Sequence, residues 1–242
     1  MLRDTYFQKV DELFAKIRTT QSEAIAVAAR LIADSVQAGG CVHVFDTGHL
    51  LNAELIYRAG GAALVRAFKY SLSVEDAVRP RTVEGKNRSM EGLAAYALRA
   101  SNVKSGDVMI IGSVSGKTVN VIDLALEARA MGVKVIAMTS VEYSSRLKSD
   151  HASGKRLMEL GDVLLDNCAP FGDAMMKVEG LEAPMCPASG MAAAYIMWAV
   201  VAQLAEELLH DGQWMSVYKS VNYPGNAEYN EQLKERYNKT GL

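Results

Sequence analysis

Seven consecutive residues, Gly112-Ser113-Val114-Ser115-Gly116-Lys117-Thr118, set three hydroxyls, two glycines and a lysine side by side. Each hydroxyl can donate an O–H bond, and a glycine such as Gly116 lets the backbone approach a ligand closely. If a helix starts at this point, its open N–H groups and the positive end of its dipole add to the attraction for an anion. The chemistry is that of a phosphate cradle. The same residues also serve a plainer purpose, with Ser and Thr capping a helix and Gly making the turn. Ser115-Gly116-Lys117-Thr118 has the look of the tail of a nucleotide-binding P-loop. That motif needs a glycine five residues before its Gly-Lys pair, where Ile111 stands, and Gly112 comes one position too late. A nucleoside triphosphatase is therefore not expected.

The elements around the loop are those that would position such a cradle. Val108 to Ile111 is a short apolar run of the kind found in a strand buried on both faces. After the loop, Val121, Leu124, Ala125 and Ala128 repeat at helical spacing, Met131-Gly132 stops the pattern, and Val133 to Thr139 reads as another buried strand. Strand, loop, helix and strand in that order predict a right-handed parallel crossover. Ligands of parallel α/β sheets sit outside the carboxyl ends of the strands, where this loop falls.

Composition narrows the partners. The chain has 242 residues, half of them hydrophobic and 22% charged, which suits one large α/β domain over 1–242. A net charge of −2 gives no general attraction to nucleic acid or to an anionic membrane, so neither is an expected partner. Cys41, Cys168 and Cys186 show no C-x-x-C spacing, and no signal peptide precedes them, which predicts reduced thiols in a cytoplasm. His43, His49, His151 and His210 lack zinc-type spacing, so neither a metal nor another cofactor is expected.

From the amino end, residues 3–37 read as two helices or one broken helix, with a polar break at residues 18–22. Cys41 to Phe45 is the first strand. Asp46-Thr47-Gly48-His49 then makes a second loop at a strand's carboxyl end, with a helix beginning near Leu50. Gly60-Gly61 turns the chain into a strand over Ala62 to Phe68. Residues 70–90 are highly charged, a loop either functional or merely solvated. Helical spacing through Leu93, Ala94, Tyr96 and Leu98 leads back to the central unit. Val163 to Asp166 is a fifth strand, 169–189 a long loop, and Gly190 to Val201 a helix apolar on all sides, hence buried. The tail from Asp211 carries Trp214, Tyr218, Tyr223, Tyr229 and Tyr237, too many aromatics for a disordered segment.

Ser-x-Ser-Gly-x-Thr after a buried strand, followed by a helix and Gly-Val-Lys-Val-Ile-Ala-Met-Thr, resembles the sugar isomerase (SIS) domain. Further matches are Thr47-Gly48-His49 with Ala53-Glu54, Tyr57-Arg58-Ala59-Gly60-Gly61, Met90-Glu91-Gly92, residues 139–144, residues 151–155, Asp166-Asn167-Cys168, Gly172-Asp173-Ala174 and Ser220-Val221-Asn222. They resemble a branch of small single-domain proteins described as sugar isomerases or phosphosugar-binding proteins. The resemblance implies a flavodoxin-like αβα sandwich whose serine-rich loop holds the phosphate of a phosphosugar. We expect a five-stranded parallel sheet in the order 2-1-3-4-5, with the site at the ends of strands one and three, where that order reverses.

The family's first loop is usually Gly-x-Gly-x-Ser or Gly-Thr-Gly-His-Ser. Here Asp46 replaces the first glycine and Leu50 the serine. A catalytic glutamate found in several members about ten residues beyond that serine would fall on Gly60, and Glu54 is the nearest substitute. The expected ligand is a phosphorylated sugar held by Thr47, Gly48, Ser113, Ser115, Gly116, Lys117 and Thr118. An aldose–ketose isomerase working through an enediolate would draw its base and acid from His49, Glu54, Glu91 and His151. A lyase or etherase would use the same parts, and a sensor without turnover would need only the binding residues. The apolar helix and aromatic tail predict a homo-oligomer, dimer or tetramer.

Overall fold

The computed structural model describes residues 1–48, 50–75, 77–79 and 90–242. Five parallel strands form the sheet: β1 (Val42–Asp46), β2 (Val65–Ala67), β3 (Val108–Gly112), β4 (Lys134–Thr139) and β5 (Val163–Asp166). Their order is β2-β1-β3-β4-β5, as expected, with the reversal between β1 and β3. Alternation along the central strands divides the core. Val108 and Ile110 of β3 join Ile136 and Met138 of β4 on one face, whereas Met109, Ile111, Val135 and Ala137 line the other.

The first face is covered by α1 (Leu2–Thr20), α2 (Ser22–Gln37) and α7 (Ser189–His210). Small residues on both partners, Ala28, Ala29 and Ala33 of α2 and Ala192 and Ala193 of α7, are fully buried between them. The second face is covered by α4 (Leu93–Arg99) and α5 (Val119–Ala130). Helix α7 is long and apolar enough to cross a membrane by length and composition. Its Ile196, Val200 and Leu204 are nevertheless fully buried in the core of this domain.

Four stretches differ from expectation. β2 is shorter than 62–68 because Ala62 and Ala63 pair with the tail instead, through an antiparallel bridge from Ala62 to Val217 and a bond from Ala63 N–H to Ser216 C=O of 2.8 Å. The 169–189 loop contains an antiparallel pair, β6 (Ala174–Met176) and β7 (Met185–Pro187). The aromatic tail holds a helix, α8 (Asn226–Thr240), whose Leu233 packs with Ala63 and Tyr218. The helix after β1 shrinks to α3 (Asn52–Leu55), since Leu50 and Leu51 are drawn into the core. Of the charged 70–90 loop, Asp76 and residues 80–89 lie outside the described residues, as does His49.

Candidate functional site

The Ser113–Thr118 loop leaves β3 at the carboxyl edge of the sheet and is braced from several sides. Gly112 abuts the β1 loop: a Cβ there would stand 3.0 Å from Leu51 Cδ1 and 3.2 Å from Asp46 Cβ. Gly116 N–H donates to Ser113 Oγ at 3.3 Å, and Thr139 Oγ–H donates to Val114 C=O at 3.0 Å. Gly116 itself has φ +59 and no spare room, because a Cβ would meet Thr139 Oγ1 at 3.0 Å and Leu157 Cβ at 3.1 Å. The downstream segment fastens the loop from outside, with Leu157 N–H on Gly116 C=O at 2.8 Å and Asp150 N–H on Lys117 C=O at 2.9 Å. Lys117 Nζ turns onto Asp150 at 2.9 Å rather than into the cradle.

Above this loop lies a cavity of about 320 Å³, lined by Thr47, Ser113, Ser115, Thr118, Tyr143 and Asp173 among others. Thr118 is the N-cap residue of α5, yet its side chain makes no cap bond. Its Oγ1 is buried and has no partner among the described residues. A buried hydroxyl without a partner is costly, and here it sits where a helix presents open N–H groups. The neighbouring N-termini are filled by the chain's own acids. Asp173, held at φ +68, accepts Ser189 N–H and Ser189 Oγ–H, each at 2.8 Å, at the start of α7.

Asp46 does the same for the β1 loop. Its buried carboxylate accepts Gly48 N–H at 2.7 Å, Asn52 N–H at 2.7 Å and Leu51 N–H, and also Asn52 Nδ2–H at 3.1 Å. A carboxylate can only accept, so Asn52 must turn its Nδ2 to Asp46 and its Oδ1 away. That Oδ1 is a buried acceptor without a partner among the described residues. Asn52 lines a second cavity of about 600 Å³ together with Thr47, Gly48, Lys69, Tyr70 and Asn120. Thr47 borders both cavities, so they adjoin across the β1 loop. Tyr70 donates its O–H to Asn120 C=O at 3.3 Å, and burial, helped by the charge of Asp123, pushes its phenol up to about 12. It remains a protonated donor at neutral pH.

Of the four candidate proton carriers, two come together away from the cavity walls. Glu91 Oε1 accepts Ala152 N–H at 2.9 Å and lies 4.0 Å from His151 Nε2. His151 Nδ1 stands 3.0 Å from Ser153 N and 2.9 Å from Ser153 Oγ, and its Nε2 lies 3.8 Å from Asp123 Oδ1. Asp123, in turn, accepts Gly92 and Ala94 N–H at the start of α4. Glu54 pairs with Arg58 Nη1 at 2.6 Å. His49 lies outside the described residues, though its neighbour Gly48 lines the larger cavity. Among the described residues no group of three His, Cys, Asp or Glu side chains could hold a metal.

Sequence reading missed Asn52 and Asp123, and Tyr143 stood only inside the 139–144 match, with no role attached. Asp173 was visible only as part of the Gly172-Asp173-Ala174 match, with no role attached.

A family model described as the SIS domain matches residues 5–140. A UPF0309 protein of Streptomyces avermitilis is 36% identical over 238 residues, covering 98% of this chain and 95% of the relative. A UPF0309 protein of Shouchella clausii is 32% identical, covering 97% and 96%. Among solved structures, a phosphoheptose isomerase from Francisella tularensis superposes with a TM-score of 0.52 at 15% identity, over 84% of this chain and 96% of that one. The phosphoheptose isomerase of Neisseria gonorrhoeae gives 0.51 at 17%, over 84% and 97%. At such identities these two structures establish the fold alone. With the matched model spanning the β1 and β3 loops and the curated relatives covering nearly the whole chain, the protein belongs to the SIS domain family.

Proposed function

We propose that this protein binds a phosphorylated sugar, with its phosphate at the N-terminus of α5, and interconverts aldose and ketose forms through an enediolate. One observation carries the binding half: Thr118 Oγ1 is buried and unpartnered at an uncapped helix start, while Asp173 and Asp46 occupy the neighbouring N–H groups. The phosphate is thereby directed to Ser113, Ser115 and Thr118. The adjoining larger cavity would take the sugar, with Asn52 Oδ1 accepting from one of its hydroxyls.

Isomerisation moves a proton between adjacent carbons, so it needs a base and an acid beside a fixed handle. His49 is the candidate by its place in the β1 loop sequence, and Glu91 with His151 forms a candidate pair outside the walls of the two cavities. His49→Ala and Glu91→Gln are each expected to lower turnover of a phosphosugar panel about a hundredfold or more, while affinity changes far less. Full activity in both would remove these assignments. The link from Glu54 to Arg58 favours a second reading, a phosphosugar sensor, because it occupies the substitute for the family's glutamate. Saturable binding without turnover, and without lyase or etherase products, would decide for the sensor.

The partly buried Tyr195 and Trp198 on α7 and the exposed Phe7 on α1 support a homodimer as the minimal unit. Sedimentation as a monomer at micromolar concentration would exclude it. Free thiols at Cys41, Cys168 and Cys186 suit the cytoplasm.

A further inference from the structure

We propose that the chain carries a second oxyanion site, in a cavity separate from those at the strand ends, in which the Arg66 guanidinium binds a phosphate group. Arg66 lies on the edge strand β2. Its Nη1 donates to Tyr57 Oη at 3.1 Å and to Tyr218 Oη at 3.3 Å. The guanidinium also stands 3.9 Å from the ring centroid of Tyr237, on α8, and 5.4 Å from that of Tyr57. Its Nε is buried and has no partner among the described residues. Among the described residues its partners are the tyrosines Tyr57, Tyr218 and Tyr237, and no carboxylate pairs with it. A half-buried cation without an acid is unusual, since buried charges are ordinarily paired.

The surroundings are those of a small anion pocket. A cavity of about 360 Å³ is lined by Tyr57, Arg66, Lys234, Tyr237 and Asn238. That volume is at the small end of ligand cavities. Among the described residues its walls offer two cations, two phenols and an amide, and no acid. Lys234 Nζ rests on Glu231 at 2.7 Å, a half-exposed i,i+3 pair of the kind that contributes little and can be redirected. Tyr57 is held at φ +53, a conformation costly for a bulky side chain and one that clusters at ligand sites. Donors approaching from β2, from the Tyr57 turn and from α8 suit a tetrahedral anion with several oxygens better than a planar carboxylate. None of the five residues lines either cavity at the strand ends, so the site is independent of the reading above.

The plain alternative is that Arg66 only pins α8 to the sheet edge through Tyr237. Calorimetric titration of the full chain with inorganic phosphate separates the two, using Ser115→Ala with Thr118→Val to silence the cradle. In that background one phosphate per chain should still bind. Adding Lys234→Ala should weaken it about tenfold, the scale of one charge-assisted bond, with the melting temperature in phosphate-free buffer little changed. Asn238→Ala should act the same way more weakly, and Arg66→Lys should abolish the site. Loss of all phosphate binding in the cradle variant overturns the proposal, as does indifference to both Lys234→Ala and Asn238→Ala. Tighter binding of malonate than of phosphate overturns the assignment of the ligand class. If wild type and the cradle variant bind phosphate alike, the cradle reading fails and this site stands.

Discussion

Replacing Thr118 by Val should weaken phosphosugar binding by roughly ten- to a hundredfold while leaving the unliganded protein as stable as before, or slightly more so. The two halves come from one atom. In the free protein Thr118 Oγ1 is buried without a partner, so exchanging it for a methyl group removes an unsatisfied donor and keeps the shape. In the complex the same hydroxyl would bond to a charged phosphate, a contact worth about 1.5–3 kcal/mol, and ~1.4 kcal/mol is a decade in affinity. Ser115→Ala should weaken binding by a similar factor, and the unphosphorylated sugar should bind poorly to every form. Lys117→Ala should matter less, because Nζ is engaged by Asp150. Thermal shift gives the readout: at a hundred times its dissociation constant a ligand adds about 2.7 kcal/mol. Equal shifts for wild type, Thr118→Val and Ser115→Ala across a full titration would reduce the loop to a helix cap.

Asp46→Ala should do the reverse and damage the free protein. One buried carboxylate accepts three backbone N–H groups and an amide N–H, and truncation strands all of them at once. Leaving one buried polar group unsatisfied costs about 1–3 kcal/mol, so a total of about 3 kcal/mol is a conservative expectation. For a chain of this size that lowers the melting temperature by about 6–12 °C. Asp46→Asn should fall between the two, since one oxygen still accepts while the new NH₂ faces N–H donors. Melting curves that coincide with wild type for both variants would show that the β1 loop is organised by something else.

These two residues also mark what the sequence makes legible. The β3–α5–β4 unit could be read because its signals are local: an apolar run, a hydroxyl-rich loop, then helical spacing. The phosphate candidates stood out for the same reason. Asp46 was readable only as a missing glycine, because its partners are backbone N–H groups, which carry no side-chain signature. Strand β2 was overestimated because Ala62 and Ala63 pair with Val217 and Ser216, a contact set by the tail's path and invisible in the run itself. The meeting of Glu91, His151 and Asp123 depends on how α4 packs against α5 and on where the 150s segment crosses them. No spacing along the chain encodes that. Asn52 escaped notice since its orientation follows from Asp46, itself not yet placed.

The two bonds from the 150–157 segment onto the carbonyls of Gly116 and Lys117 carry a consequence for cooperativity. Backbone groups in a packed interior are not released singly. Peeling that segment away would strand two loop carbonyls and withdraw Leu157 from beside Gly116. The cradle and the 150–157 segment are therefore expected to open and close as one unit, with a single free energy of local unfolding. Any ligand seated on the hydroxyls of Ser113, Ser115 and Thr118 would deepen that well, and the slowest-exchanging amides of the 150s segment would register an occupant they never touch.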